Sequence, residues 1–590
     1  MKKADKWINL ILILAVVFSC LPLAIPGIEG HFGQDLGFHI NRIEGIYLEL
    51  SRGVFPVRMQ SFWMDGYGYP VSIYYGDIFL YLPALLRLMG VPVVAAYKVF
   101  LFAVDVATVI AAYYSFSGIL CDKKLGAIGA FVYATSNYRL LDLYIRAAVG
   151  EYTALIFLPL IAYGVCLLYG WTKDSRAESG KLCREAVIPL FAGMTGILLS
   201  HIVTLEIICL CLIVVCALNL KKTFTKRVML TYMVSAGMTL LATLYFTIPF
   251  ADYFINESVR INQVVGNARQ IQESGTRLYE YFDFFMIPFS NLDPSVSDDR
   301  MLTTPGAVLM GTLIAGIAVC LSGILRGKKV GAPGVDRRTR AIRSLTAAGV
   351  VLLFISSDIF PWNRLGRSGA LGDLLAQVQF PWRYVGIATV VLTLLLLVMM
   401  SGHEDLSTGK KYPHAATLVL SVAAAMCVWF AGVYMTYAQL DTFRTTADLD
   451  TYDMGYIEYL RPDAVREDFT HEIRVTAGEA EEVSELYHEG TSMDIYVHSE
   501  SGATIELPIL NYRYYHISDG SDKSYAISDG ENDEICFDLD AGFDGVIMLR
   551  YEPPILWHVA EWISLMFILG FMAAVIVSGR QKSRRGTYNK

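Results

Sequence analysis

Zinc-type spacing of cysteine and histidine is missing from this chain, so no zinc-bound module is expected. Its ten cysteines offer no disulfide framework either. Most, such as Cys166, Cys209, Cys211, Cys216, Cys320 and Cys427, fall inside apolar runs, and Cys536 stands alone in the one sizeable polar region. Cys20, in Val17-Phe18-Ser19-Cys20, lacks a lipidation context. An excess of positive charge is absent: the net charge is −8, which gives no basis for a nucleic-acid partner. No internal repeat is visible, which weakens a transporter built from two similar halves. Charged residues make up only 18%. What the 590 residues do have is apolar character, 54% of them, with a mean hydropathy of +0.44. That describes a polytopic membrane protein.

Twelve stretches approach the roughly 20 apolar residues that span a bilayer. They are 7–28, 97–120, 125–136, 152–171, 186–199, 202–218, 228–250, 305–325, 346–359, 384–401, 415–437 and 557–577. A thirteenth, Ile78 to Met89, is short enough to be re-entrant or interfacial. The first is too long for a signal peptide and is followed by no small-x-small cleavage site, so it reads as a retained helix. Lys2-Lys3, Lys123-Lys124, Lys221-Lys222, Arg337-Arg338, Lys410-Lys411 and the tail from Arg580 to Arg585 occupy alternate loops. Positive loops face the cytoplasm, so both termini are expected inside. Loops 29–76, 138–151, 252–304, 360–383 and 439–553 are then external.

The last of these differs in kind. Around 472–475, 492–498, 503–510, 525–527 and 546–550, short alternating runs are broken by Gly, Asp, Ser and Asn. That pattern predicts a small antiparallel β domain, sandwich-like, outside the membrane. The expected architecture is a membrane all-α bundle of 12–13 helices over 1–438, a C-terminal extracytoplasmic β domain over 439–553, and a final helix with a basic tail over 554–590.

The distinctive polar residues collect in the external loops. In Gln34-Asp35-Leu36-Gly37-Phe38-His39-Ile40-Asn41-Arg42, Asp35, His39 and Arg42 share one helical face. Leu36, Ile40, Ile43, Tyr47 and Leu50 form a second, apolar face, which predicts a helix lying in the membrane surface. Arg139, Asp142, Arg146 and Glu151 follow in the 138–151 loop, His201 and Glu206 at another boundary, and Gln379-Phe380-Pro381-Trp382-Arg383 before a later crossing. Each has an ordinary reading. Arg383 beside Trp382 fits an interface anchor, Arg146 and Glu151 a surface pair, and His201 an interhelical hydrogen bond. Asp35 fits a helix cap, and the Tyr-rich run around Tyr69 fits packing. Their shared side of the membrane is what favours a site.

Asp35-x-x-x-His39-x-x-Arg42, Gly53-Val54-Phe55-Pro56-Val57-Arg58 and Gly66-Tyr67-Gly68-Tyr69-Pro70 together resemble the N-terminal loop of a bacterial family of membrane glycosyltransferases. Arg146-Ala147-Ala148-Val149-Gly150-Glu151-Tyr152, Leu199-Ser200-His201, the Gln379–Arg383 run and Glu458-Tyr459-Leu460-Arg461-Pro462 extend the resemblance over most of the chain. Some members are labelled as related to pyruvoyl-tetrahydropterin synthase, which nothing in these residues supports. The family is similar to the GT-C superfamily, whose members carry an acidic residue in the first external loop. They take sugar from a polyprenyl-phosphate or polyprenyl-diphosphate donor. The resemblance implies Asp35 as catalytic base with His39 assisting it. It also implies Arg42, Arg146 and Arg383 on the donor phosphate, and Glu151, His201, Tyr69 and Trp382 as sugar or acceptor contacts. A divalent cation is left open. The implied acceptor is a cell-envelope polymer or glycolipid. Protein O-mannosyltransferases of this superfamily carry an Asp-Glu pair where Asp35 is followed by Leu36, which argues against a protein acceptor. The competing readings are a lipid-linked-sugar flippase and a non-enzymatic envelope scaffold that displays the β domain.

Overall fold

The computed structural model describes residues 3–24, 33–172, 182–261, 271–285, 303–325, 337–401, 413–438, 457–521 and 523–588. Residues 29–32 of the first loop, Lys410-Lys411 and the 439–456 start of the expected β domain lie outside the described residues.

The described part of each of the twelve apolar stretches falls largely on a helix. Among the described residues, six helices are long and apolar enough to cross a membrane: Val93–Leu120, Val149–Tyr169, Lys226–Asn256, Pro381–Met400, His414–Thr436 and Ile555–Val577. Lys6–Ser19, Ile202–Leu218 and Ala307–Gly323 are apolar but shorter. The remaining three are Lys123–Ala134, Arg184–Leu198 and Arg337–Ile355, the last opening on Arg337, Arg338 and Arg340. The chain is a multi-pass membrane protein by helix length and composition. The thirteenth stretch holds only the eight-residue helix Tyr81–Leu88. At 1.5 Å per residue it is too short for a hydrocarbon core of roughly 30 Å.

The chain divides into two compact units that interleave in sequence. The first comprises Met1–Ile40, Gly90–Ala236 and Val265–Tyr452; the second Asn41–Met89, Gly237–Val264 and Asp453–Lys590. Helices of the first unit approach closely where side chains are missing. A β-carbon at Gly164 would collide with Leu190, one at Gly193 with Ile161 and one at Gly196 with Phe157. Small residues permit such contact between apolar helices, where dispersion rather than water drives association.

Helix Leu36–Ser51 is not the membrane-surface helix that its two faces predict. Leu36, Ile40, Ile43 and Ile46 are fully buried, but so is Arg42 on the polar face, and Glu44 on the opposite side of the helix is nearly so. Within the second unit Arg42 meets Asp77 at 2.5 Å and Glu44 meets Arg87 at 2.6 Å. Protein side chains, rather than headgroups, satisfy these two charges.

The β domain belongs to the second unit. Its strands are β1 (Arg474–Gly478), β2 (Glu482–Glu489), β3 (Ser492–Ser499), β4 (Ala503–Leu510), β5 (Tyr515–Asp519), β6 (Ser524–Tyr525), β7 (Ile527–Asp529), β8 (Glu534–Leu539) and β9 (Phe543–Tyr551). They form two antiparallel sheets, ordered β1-β4-β8-β7 and β2-β3-β9-β5-β6. Alternate residues of β3 are buried, Met493, Ile495 and Val497 among them, as a sheet with one covered face requires.

Arg461 fastens this domain to the end of helix Lys226–Asn256. It holds Glu257 at 3.0 Å, Asp529 at 2.9 Å and Asp533 at 3.2 Å. Glu257 is buried, so losing its cation leaves an uncompensated charge. Arg461→Met is therefore expected to cost about 3 kcal/mol, read as a lower melting temperature in detergent. An unchanged transition would show that the triad contributes nothing.

Candidate active site

The site begins with a backbone pairing. Gln34 N–H donates to the Ile145 carbonyl at 2.9 Å, and Asp35 N–H to the Arg146 carbonyl at 2.8 Å. This close approach requires glycine at position 33, where a β-carbon would overlap the Cβ of Ala147. Asp35 is thus pinned beside Arg146 by main chain, just ahead of helix Leu36–Ser51. Gly33→Ala is expected to displace Asp35 and lower activity while the β domain stays folded. Full activity in that variant would show that the pairing is dispensable.

Residues 138–151 do not form an open loop. They run as helix Asn137–Leu140, a π-helix over Leu141–Arg146 and helix Val149–Leu155, and all are buried. Single π-turns inside helical segments recur at functional sites because the wider turn re-aims side chains. This one places Asp142 and Arg146 four residues apart on one side, with Arg146 Nη1 at 2.5 Å from Asp142 Oδ1.

Glu151 is the hub. Its Oε2 accepts from Arg146 Nη1 at 2.8 Å and from Arg383 Nε at 3.2 Å, and its Oε1 accepts from the Tyr138 hydroxyl. Arg383 is held in turn by the Val378 carbonyl at 2.9 Å and Gln379 Oε1 at 3.1 Å. Gln379 adopts φ +60, a left-handed conformation uncommon for a side-chain-bearing residue, and it directs the chain into Pro381–Arg383 and the long helix beyond. Phe380 and Trp382 stack at 4.4 Å with rings 2° apart. The Arg146 guanidinium lies 5.8 Å from the Trp382 ring centre, within cation–π range. Trp382 Nε1 is buried and donates no hydrogen bond among the described residues.

Charge decides what this cluster can hold. Burial pushes the Asp35 carboxyl above its usual range, against the pull of Arg146 and Arg383. Burial, then Glu151, pushes Asp142 well above its usual range. Burial, with Arg383 next, pushes the His201 imidazole down to about 3, so it is neutral. Its Nδ1 accepts from Thr204 N–H at 3.3 Å and caps helix Ile202–Leu218. Two guanidinium groups, Arg146 and Arg383, share the carboxylate of Glu151. Nη2 of Arg146 and Nη2 of Arg383 donate no hydrogen bond among the described residues. The cluster therefore offers spare forked donors to an incoming anion. No set of three or more His, Cys, Asp or Glu side chains suited to a metal ion occurs among the described residues.

Asp35, Arg146, Glu151, His201, Trp382 and Arg383 thus come together in the first unit. His39 Nε2 accepts from Val149 N–H at 3.3 Å, so this ring supports the helix that carries Glu151. Arg42 belongs to the second unit, where Asp77, the carbonyls of Tyr75 and Gly76 and the Tyr75 ring surround it. Tyr69, in the same unit, is fully enclosed: it stacks on Trp63 at 5.3 Å and accepts from Tyr459 N–H at 2.9 Å. It is packing, with no face open to a sugar. Tyr138, which holds Glu151, carries no sequence signal of its own, since an uncharged side chain that only holds another is unmarked in the sequence.

Removing the hub should be costly. Glu151→Ala leaves two buried guanidiniums without their shared anion, for an expected loss of about 3–5 kcal/mol. Thermal unfolding of the purified variant measures it, and a wild-type transition would contradict the hub role.

No protein-family model matches this chain, and no curated protein does. Solved structures similar to it include the following three. One is the cryo-EM structure of arabinofuranosyltransferase AftD from Mycobacteria, at 13% identity and TM-score 0.36, over 73% of this chain and 27% of that one. Another is the oligosaccharyltransferase of Archaeoglobus fulgidus in complex with Zn and sulfate, at 13% identity and TM-score 0.40, over 72% of this chain and 53% of that one. The third is ArnT from Cupriavidus metallidurans bound to undecaprenyl phosphate, at 11% identity and TM-score 0.31, over 68% and 80%. The chain thus matches about a quarter of the first and about half of the second. Likenesses this distant assign no activity to it.

Proposed function

We propose that this chain is a GT-C-type membrane glycosyltransferase that moves a sugar from a polyprenyl-phosphate-linked donor to an acceptor at the outer face of the plasma membrane. The acceptor class is a cell-envelope polymer or glycolipid. The single observation that carries the reading is Asp35. Its carboxylate makes no side-chain hydrogen bond among the described residues, yet main-chain bonds pin it beside Arg146, within the field of Arg383.

In this mechanism the acceptor hydroxyl oxygen bonds to the anomeric carbon while the bond from that carbon to the phosphate oxygen breaks. The hydroxyl proton passes to Asp35 Oδ, and the electron pair leaves with the lipid phosphate. One displacement inverts the anomeric centre. The phosphate is a good leaving group, so its charge needs holding more than protonating, which suits Nη2 of Arg146 and Arg383. Trp382 Nε1 offers a donor to a sugar hydroxyl. Asp35, Arg146, Glu151, His201, Trp382 and Arg383 gather in one cluster, which supports a single reaction centre.

The test is a purified full-length chain in liposomes, given a radiolabelled sugar–polyprenyl-phosphate donor and an envelope extract. Label transfer with matching release of polyprenyl phosphate is expected. Donor movement between leaflets without consumption would favour a flippase instead.

A further inference from the structure

A second buried charge pair stands in the first unit, and nothing in the mechanism above uses it. Arg139 Nη1 lies 2.6 Å from Asp105 Oδ1, with both side chains essentially inaccessible. Asp105 sits mid-helix in the candidate span Val93–Leu120. Arg139 donates further to the Ala134 carbonyl and to Thr108 Oγ1, each at 3.0 Å. Asp105 Oδ2 accepts from Cys20 Sγ at 3.0 Å and from the Tyr144 hydroxyl at 3.4 Å, and that hydroxyl also reaches the Ser19 carbonyl at 2.8 Å. Such a pair is weak support for stability, because well-packed apolar side chains would serve as well or better.

Its place in the chain suggests another role. Arg139 lies in the helix that leads directly into the π-helix Leu141–Arg146, and Tyr144 lies within it. Asp142 and Arg146 share one face of that turn, and Tyr144, two residues from each, lies on the opposite one. A π-turn is rarely stable by itself. Here it is fastened behind by Tyr144, ahead by Arg139, and at its end by the Gln34 and Asp35 amides.

We infer that Asp105 and Arg139 are positioning residues for the site: their buried ion pair, with Tyr144, holds the π-turn from behind and so sets where Asp142 and Arg146 stand. This rests on the transferase reading only for its consequence on rate; the placement itself is testable without it. The groups acting on Asp35 include Arg146, Arg383 and Glu151, and Asp142 and Tyr97 also feel its charge. Arg146 lowers the Asp35 pKa, so a displaced Arg146 lets it rise.

The experiment compares wild type, Tyr144→Phe and the double variant Asp105→Leu with Arg139→Met, each as the full chain in liposomes. The double variant removes both charges together, so the fold is expected to survive with an unchanged melting temperature. Carbodiimide modification of Asp35, followed by mass spectrometry across pH, reads its titration directly. The midpoint is expected to move upward in the double variant and, by less, in Tyr144→Phe. Sugar transfer should fall about 10²-fold in the double variant, the scale of a misplacement of about 1 Å. An unchanged Asp35 midpoint in both variants overturns the positioning role, whatever the transfer assay gives. A shifted midpoint in a chain that transfers no sugar upholds the positioning role and rejects the transferase reading.

Discussion

Asp35→Asn is expected to lower sugar transfer by about 10²–10⁴-fold, the range supplied by a positioned general base. The amide keeps the size and the main-chain bonds to Arg146 but accepts no proton, so insertion, folding and donor binding should persist. The wild-type pH profile carries the same information. Asp35 works only when ionised, so the rate should fall as pH is lowered through its pKa. Burial raises that pKa, so the acid limb should lie above the range of an ordinary carboxylate. In Asp35→Asn the limb should vanish along with most of the rate. Full turnover by the variant, or an identical limb in its residual activity, would reject the base assignment.

Arg146→Ala should act on the other half of the reaction. Each charge-assisted hydrogen bond from a guanidinium to the donor phosphate contributes about 1.5–3 kcal/mol, so donor KM should rise about 10–100-fold. Acceptor KM should change little, because the acceptor hydroxyl faces Asp35. Fold is expected to suffer less than in Glu151→Ala, since Arg383 still neutralises Glu151 and burial already favours protonated Asp142. Arg146→Lys keeps the charge without the planar fork and should fall between wild type and alanine. Donor KM unchanged in the alanine variant would place the phosphate elsewhere.

Much of this architecture is legible in the residues. Apolar length locates the helices, because a bilayer demands it, and alternation with turn residues locates β3, β4 and β9. The edge strand β2 is harder to see. Glu482, Glu485 and Glu489 interrupt any apolar alternation, as exposed edges often do to discourage pairing with other chains. β5 and β8 were likewise unmarked. The helix at 36–51 misleads because helical periodicity reveals two faces but not what covers them; Asp77, far along the chain, meets Arg42 on the polar one. The 138–151 segment reads as a surface loop because its charges are conspicuous, and their mutual compensation is visible only in three dimensions. Asp105 left a clue: a lone acid in the middle of an apolar span usually has a partner and a purpose.

The most direct measurement is a cryo-EM structure of the full chain in lipid with polyprenyl phosphate added. The account predicts the phosphate oxygens within hydrogen-bond distance of Nη2 of Arg146 and Arg383, with the Asp35 carboxylate facing the position the anomeric carbon would take. A phosphate seated away from both arginines, or Asp35 turned into hydrocarbon, would contradict it.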